Sequence, residues 1–367
     1  MKLGVLCSLT GRRQEIGQSI LDGALAAVSQ INAAGGIGGE PIEPVIADTR
    51  SDVAGTIEGA VSLRAGGVKV LVGGYTSAAR VAVRPALQTV DALLLYPTYF
   101  EGEETDPNVF YCGASPNQFL GGYLEWIAGN LGSRMYLVGS DYIYPRVLGE
   151  AIQVLGRRRG LETVGDWFAP LGETELDAVI EDIARAAPDV IICNLVGAES
   201  TASFYTAHRR AGLTAASMPI AATVTTEIDL AHMPTEVSDG HYMAASYFSG
   251  LTSPANARFR AELAARGQRR AHAAQVGAYN GVRAAALAYE LTGSDEVAEM
   301  RSALRSVTVD ENPEGIAFGF DDEHYSTHPA YIGRARGGDY EVIAGFDPVA
   351  AQPWWSDRSD RRGLSYR

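Results

Sequence analysis

VKVLVGGYTSAARVAVRPALQTVDALLLYPTY, residues 68–99, contains one complete repeat of an alternating architecture. Val68–Val72 is a short apolar run closed by Gly73 and Gly74. From Ala78 the apolar residues return at helical spacing, and Ala92–Tyr96 is a second short apolar run. Apolar on both faces, bounded by turn residues and separated by an amphipathic helix, such runs read as neighbouring parallel strands of a sheet covered on both sides.

The same pattern extends outward. Upstream, Met1–Cys7 reads as a strand. A helix over Glu15–Ala34 follows, with Ile20, Ala24, Ala27 and Ile31 on one face and Gly35-Gly36 as its stop, then a strand near Pro44–Ala47 and a helix from Val53. A second series begins after Pro116-Asn117-Gln118: helix to Asn130, strand Met135–Gly139, helix from Tyr144, strand Leu161–Trp167, helix Leu176–Ala186 and strand Asp189–Leu195. A helix from Ser200, strands near Pro219–Ala222 and Gly240–Tyr247, and helices over Ala255–Arg266 and Ala273–Leu291 complete it. Beyond Val307 the period shifts toward two. Gly315–Phe320 and Ala330–Arg336, separated by the polar Asp321–Thr327, read as a hairpin, and Trp354 and Trp355 are expected to pin an irregular tail. The fold class is α/β, two doubly wound parallel-sheet lobes, as the 367-residue length also favours over a single core.

A formal charge of −14 disfavours phosphate backbones and anionic lipid, so direct nucleic-acid binding is not expected. Cys7, Cys112 and Cys193 each fall in an apolar run without metal-ligand spacing and read as buried thiols. The first residues lack the basic and small-residue features of an export signal. A native start at Met1 therefore predicts a cytoplasmic protein, and a signal removed upstream predicts a periplasmic or extracellular one.

In open α/β sheets ligands collect beyond the carboxyl ends of strands. Three strand ends combine tyrosines with hydroxyls. The first is Gly73-Gly74-Tyr75-Thr76-Ser77, where Ser77 can cap the next helix while facing the cleft. The second is Tyr96-Pro97-Thr98-Tyr99, and the third Ser140-Asp141-Tyr142-Ile143-Tyr144-Pro145. Singly, each reads equally well as a cap or turn; together they describe a cleft between lobes. Val196, Thr225 and Glu227 follow two later strands, and Glu227 or Asp141 could meet an amine, although acids at helix starts are usually structural. No arginine or lysine lies inside the three motifs, which favours a neutral amide or urea over a bulky anion.

Enzyme signatures are weak. Gly36-Ile37-Gly38-Gly39 follows a helix and precedes a strand, the reverse of a dinucleotide fingerprint, and there is neither a P-loop nor a nucleophile elbow. His324 and His328, beside Asp321, Asp322 and Glu323, resemble a metal cluster in composition, but their strand-turn-strand context favours a polar hairpin loop. No enzyme activity, metal or cofactor is expected.

Tyr96-Pro97-Thr98, Glu101-Gly102, Ser115-Pro116-Asn117-Gln118 and Gly139-Ser140-Asp141-Tyr142-Ile143-Tyr144-Pro145-Arg146 resemble the type I periplasmic-binding-protein-like receptors, close to the amide-sensing negative regulators of amidase operons and to urea- or amide-binding transporter subunits. The resemblance covers nearly the whole chain. It implies that Ser77, Tyr96 and Thr98 contact an amide-like group from the first lobe, that Tyr142 and Tyr144 close over it from the second, and that Tyr75, Val196 and Thr225 line the remaining pocket; Thr76, Pro97 and Glu227 join the candidate ligand-binding residues from the strand ends. It also implies hinge crossings that divide the chain into 1–118 with 249–328 and 119–248 with 329–367. The implied role is amide or urea sensing, with hinge closure signalling to a regulatory partner. The alternative is an ABC transporter substrate-binding subunit for urea, amides or branched-chain amino acids. An antitermination regulator and an ABC permease are the respective partners, and a homo-oligomer is compatible with either.

Overall fold

The computed structural model describes residues 1–353. The chain divides into two compact units. The first comprises Met1–Phe100, Glu104–Ala114 and Ser246–Pro329; the second comprises Glu101–Glu103, Ser115–Ala245 and the described residues from Ala330 onward. Residues 101–103 are a short excursion of the chain into the second unit.

The first unit opens with β1 (Lys2–Cys7), α1 (Gln14–Ala33), β2 (Glu43–Asp48), α2 (Val53–Ala65), β3 (Val70–Gly73), α3 (Ser77–Val90), β4 (Leu93–Tyr96) and β5 (Val109–Tyr111). Its sheet is parallel, in the order β2-β1-β3-β4-β5, with Val5 opposite Val72 and Val70 opposite Leu93. Side chains alternate across such a sheet. Leu3, Val5, Val70, Val72, Leu93 and Leu95 join the core containing residues of α1. Leu6 faces the other way, toward Gly59 of α2. Helices therefore cover both faces, which is why these strands are uniformly apolar. Three-residue β5 is too short to announce itself as a period.

The second unit follows with α4 (Pro116–Asn130), β6 (Arg134–Ser140), α5 (Ile143–Arg157), β7 (Glu162–Ala169), α6 (Asp177–Ala186), β8 (Val190–Asn194), α7 (Ala198–Arg210), β9 (Ile220–Ala222), the single turns α8 (Glu227–Leu230) and α9 (Thr235–Ser238), and β10 (Tyr242–Ala245). The chain then returns to the first unit for α10 (Pro254–Ala265), α11 (Ala273–Thr292), α12 (Val297–Leu304), β11 (Thr308–Val309) and β12 (Phe318–Gly319). It ends, among the described residues, with β13 (His328–Arg336) and β14 (Asp339–Val349). The second sheet runs β14-β13-β10-β9-β8-β6-β7, parallel from β10 to β7, with β13 antiparallel to β10.

The expected terminal hairpin is corrected here. Residues 318–319 pair with β11, and β13 pairs instead with β10 and β14, turning through Gly337 and Gly338, both at positive φ. Period-two patterning identifies strands but not their partners. Trp354 and Trp355 lie outside the described residues.

Candidate ligand site

In the first unit the residues singled out in the sequence follow the adjacent strands β3 and β4. Gly73 has φ 134° and Gly74 φ 86°, and the Gly74 amide donates to the Leu6 carbonyl at 2.8 Å. A Cβ at Gly73 would stand 2.0 Å from that carbonyl oxygen, so only glycine permits the turn. Thr76, not Ser77, caps α3: its Oγ1 accepts from the Ala79 amide at 3.3 Å. Ser77 is displaced by one position into the first helical turn, where it is 3% exposed. Tyr75 is half-buried against the core.

Tyr96 is fully buried, and its phenol donates to the Tyr75 carbonyl at 2.5 Å. Thr98 Oγ1 donates to the Gly74 carbonyl at 3.2 Å. Pro97 is buried, with its carbonyl against Gly277 of α11. The two strand-end motifs are thus stitched to each other through both carbonyls of the Gly74-Tyr75 turn. Beneath them lies Arg80, 2% exposed, its guanidinium 5.0 Å from the Tyr96 ring centroid and its Nε 2.5 Å from Glu104 Oε1. No cation lies inside the motifs themselves; Arg80 stands one helical turn after Ser77, and that spacing is the signal in the sequence that points to it.

In the second unit the named residues follow β6, β8 and β9, which are consecutive in the sheet. Ser140 Oγ accepts from the Val196 amide at 3.0 Å, tying the β6 end to the β8 end. Tyr142 precedes α5 in extended geometry, and Tyr144 is buried in its first turn. Asp141 is exposed and held by Arg146 at 2.8 Å, a hydrogen bond that lowers its carboxyl below the usual range. It serves as a helix-start acid already paired with a cation. Thr225 is buried, its carbonyl accepting from the Tyr340 phenol at 2.8 Å, and Glu227 opens α8 with 1% exposure. Tyr340 comes from β14, more than a hundred positions away, and no local pattern points to it.

The other chemically suggestive groups are spent internally. The polar hairpin loop is present, closed by the antiparallel Phe320–Ser326 bridge with His324 inside it, but His328 starts β13 and both rings are interior. His324 stacks on Phe110 at 3.9 Å, while His328 in β13 binds Glu314 through Nδ1 at 3.0 Å and Ser326 through Nε2 at 2.7 Å. Serine, histidine and glutamate here have the connectivity of a hydrolytic triad. The Ser326 hydroxyl, however, donates its hydrogen to the Tyr111 carbonyl at 2.6 Å, so His328 is not placed to take that proton as a general base. The three cysteines are free and buried; burial pushes the Cys7 and Cys193 thiols up to about 12, far from the thiolate that reactivity requires. Among the described residues no group of acids, histidines and cysteines could hold a metal ion, and no helix is long and apolar enough to cross a membrane.

Over 193 residues the chain is 25% identical to "Leu/Ile/Val-binding protein homolog 3" of Brucella melitensis, and over 194 residues 25% identical to "Leu/Ile/Val-binding protein BraC3" of Rhizobium johnstonii. These alignments span 52% of this chain and 52% and 53% of the relatives, so the chain matches about half the length of each. Among solved structures, a solute binding protein of an ABC transporter from R. palustris in complex with 4-hydroxybenzoate superposes with a TM-score of 0.85 at 22% identity, covering 98% of this chain and 99% of that one. The branched-chain amino acid transporter substrate binding protein of Streptococcus pneumoniae in complex with isoleucine gives 0.83 at 21% identity, covering 95% and 99%. Both share the two-unit type I fold. A model described as "Periplasmic binding protein domain" matches residues 1–360, and the chain therefore belongs to the periplasmic binding proteins, non-enzymatic binders of small molecules.

Proposed function

We propose that this chain is the solute-binding component of an ABC uptake system, and that its ligand carries an acceptor oxygen next to an N–H group, as branched-chain amino acids, short aliphatic amides and urea do. The observation that carries the reading is the stitching of β3 to β4. The first turn of α3 offers backbone N–H donors and the Ser77 hydroxyl to an oxygen. Thr98, having given its hydrogen to the Gly74 carbonyl, retains lone pairs for a ligand N–H. Tyr96 supports this edge from below, while Tyr75, Thr76 and Pro97 shape it. From the second unit, Tyr142, Tyr144, Val196, Thr225 and Glu227 are the proposed contacts, with the buried Glu227 as the partner of a ligand amine. The names of the relatives support the transport role and a carboxylate-bearing ligand; an amide or urea satisfies the same two contacts. An ABC permease is the corresponding partner, and the periplasmic or extracellular space the corresponding location.

A regulatory role, in which an amide alters affinity for an antitermination partner, would use the same pocket. A thermal-shift panel of leucine, valine, alanine, acetamide, propionamide, butyramide, urea and 4-hydroxybenzoate tests the chemistry, because a ligand held by the folded state raises its melting temperature. Stabilisation by leucine and valine is expected for an amino-acid importer. Stabilisation by amides or urea alone moves the assignment to those ligands and reopens regulation. A response to 4-hydroxybenzoate alone, or to nothing, overturns the two-contact pocket.

A further inference from the structure

We propose that Arg80 is a positioning residue of the ligand site: clamped by Glu104, it holds the Tyr96 ring, and through the Tyr96 phenol it sets the Gly74-Tyr75 turn that precedes Ser77. The inference rests on the reading of this edge as the ligand site.

One continuous set of contacts runs through the first unit. Arg80, Arg84 and Gln88 lie along one face of α3, at helical spacing. Arg84 bonds Glu104 at 2.6 Å and Asp106 at 2.9 Å, and Gln88 bonds Asp106 at 2.9 Å. Glu104 also receives the Tyr111 phenol at 3.2 Å, and its backbone carbonyl receives the Tyr325 phenol at 2.5 Å. Glu104 is thereby fixed from several directions, and it fixes Arg80 in turn. A buried arginine is costly unless paired, and here the pairing is directional: the Nε faces Glu104 while the Cζ lies over the Tyr96 ring at 5.0 Å from its centroid. Cation–π contact constrains the ring, and the ring carries the hydroxyl that occupies the Tyr75 carbonyl. Glu104 is also the first residue of the unit after the 101–103 excursion, so the ligand edge is anchored to a point where the chain re-enters the unit.

Lysine at this position would keep the charge but lose the planar fork, so Arg80→Lys separates geometry from electrostatics. Tyr96→Phe keeps the ring and removes the hydroxyl that reaches Tyr75. The test is amide hydrogen exchange of the ligand-free full chain, read over residues 73–79 and over β1 and α11 as controls, in wild type, Arg80→Lys, Tyr96→Phe and the double variant. We expect exchange over 73–79 to accelerate about tenfold or more in each single variant, with the controls unchanged, and no further acceleration in the double variant because the two residues act in series. Equal exchange over 73–79 in wild type and Arg80→Lys, or additive effects in the double variant, overturns the proposal. Since this readout needs no ligand, it stands apart from the function itself. Calorimetric titration of the same variants with leucine and butyramide then reports on the ligand site: faster exchange with unchanged affinity would leave Arg80 positioning the turn and show that the turn is not the binding edge.

Discussion

Ser77 and Tyr142 are the side chains on which the ligand proposal is most exposed to test. Ser77 contributes nothing to the cap of α3, a task performed by Thr76. Tyr142 precedes α5 without a side-chain cap. Removing the Ser77 hydroxyl should therefore cost binding more than folding. Ser77→Ala and Tyr142→Phe are each expected to weaken ligand affinity by about fivefold, the worth of one net hydrogen bond of roughly 1 kcal/mol, and Ser77→Ala to leave the melting temperature of the free protein nearly unchanged. Titration calorimetry beside differential scanning measures both quantities; intact affinity with a large fall in melting temperature would assign these residues to the fold. Tyr96 belongs to another kind: fully buried and bonded to the backbone, it supports the edge from inside the unit.

At the level of elements, the edge is defined by how closely α11 approaches β4. Gly277 of α11 leaves no room for a side chain, since a Cβ there would stand 2.2 Å from the Pro97 carbonyl oxygen. Gly281, one turn on, lies against Cys112 and Leu95, and Gly23 of α1 is pressed in the same way against the Gln275 carbonyl of α11. Glycine thus brings α1 and α11 close together and brings α11 close to the segment between Tyr96 and Thr98. Gly277→Ala should destabilise the protein by about 1–3 kcal/mol through overpacking. The urea midpoint should fall, and ligand affinity should fall with it as the 96–98 segment is pushed aside. An unchanged midpoint would mean that α11 can shift without cost.

For the molecule as a whole, buried neutral histidines make stability depend on pH. Burial pushes His208 down to about 4 and His241 and His272 down to about 3. Their bonds agree: the His241 Nδ1 accepts from the Ile220 amide at 2.9 Å and so carries no proton there, and the His272 ring accepts at the start of α11 while its Nε2 meets Ser19 at 2.8 Å. The unfolded chain takes up these protons near pH 6.5, the folded chain only below about 4. Stability is therefore full above pH 6.5 and lost as the pH falls from there toward 3, with a slope of up to about 1.4 kcal/mol per pH unit for each such histidine. Melting temperatures recorded from pH 8 to 4 should be flat above pH 7 and decline steeply below 6.5; substitution of His241 by glutamine should flatten the decline.

The sequence by itself determined the alternation of strand and helix, the doubling of the architecture and the strand ends at which hydroxyls and tyrosines gather. Those features are written in local spacing, in periods of two and 3.6 and in glycines that stop or turn the chain. Gly73-Gly74-Tyr75-Thr76-Ser77 and Tyr96-Pro97-Thr98 could be read as ends on the same side of one sheet because parallel neighbours align their carboxyl ends. Only the tertiary structure decided which hydroxyls are already committed, that Arg80 stands beneath Tyr96, that Tyr340 reaches the Thr225 carbonyl and that β13 pairs with β10 rather than with the segment before it. Each of these joins residues from separate elements, and what selects them is the burial of polar groups and the pairing of strand edges, neither of which leaves a period in the chain.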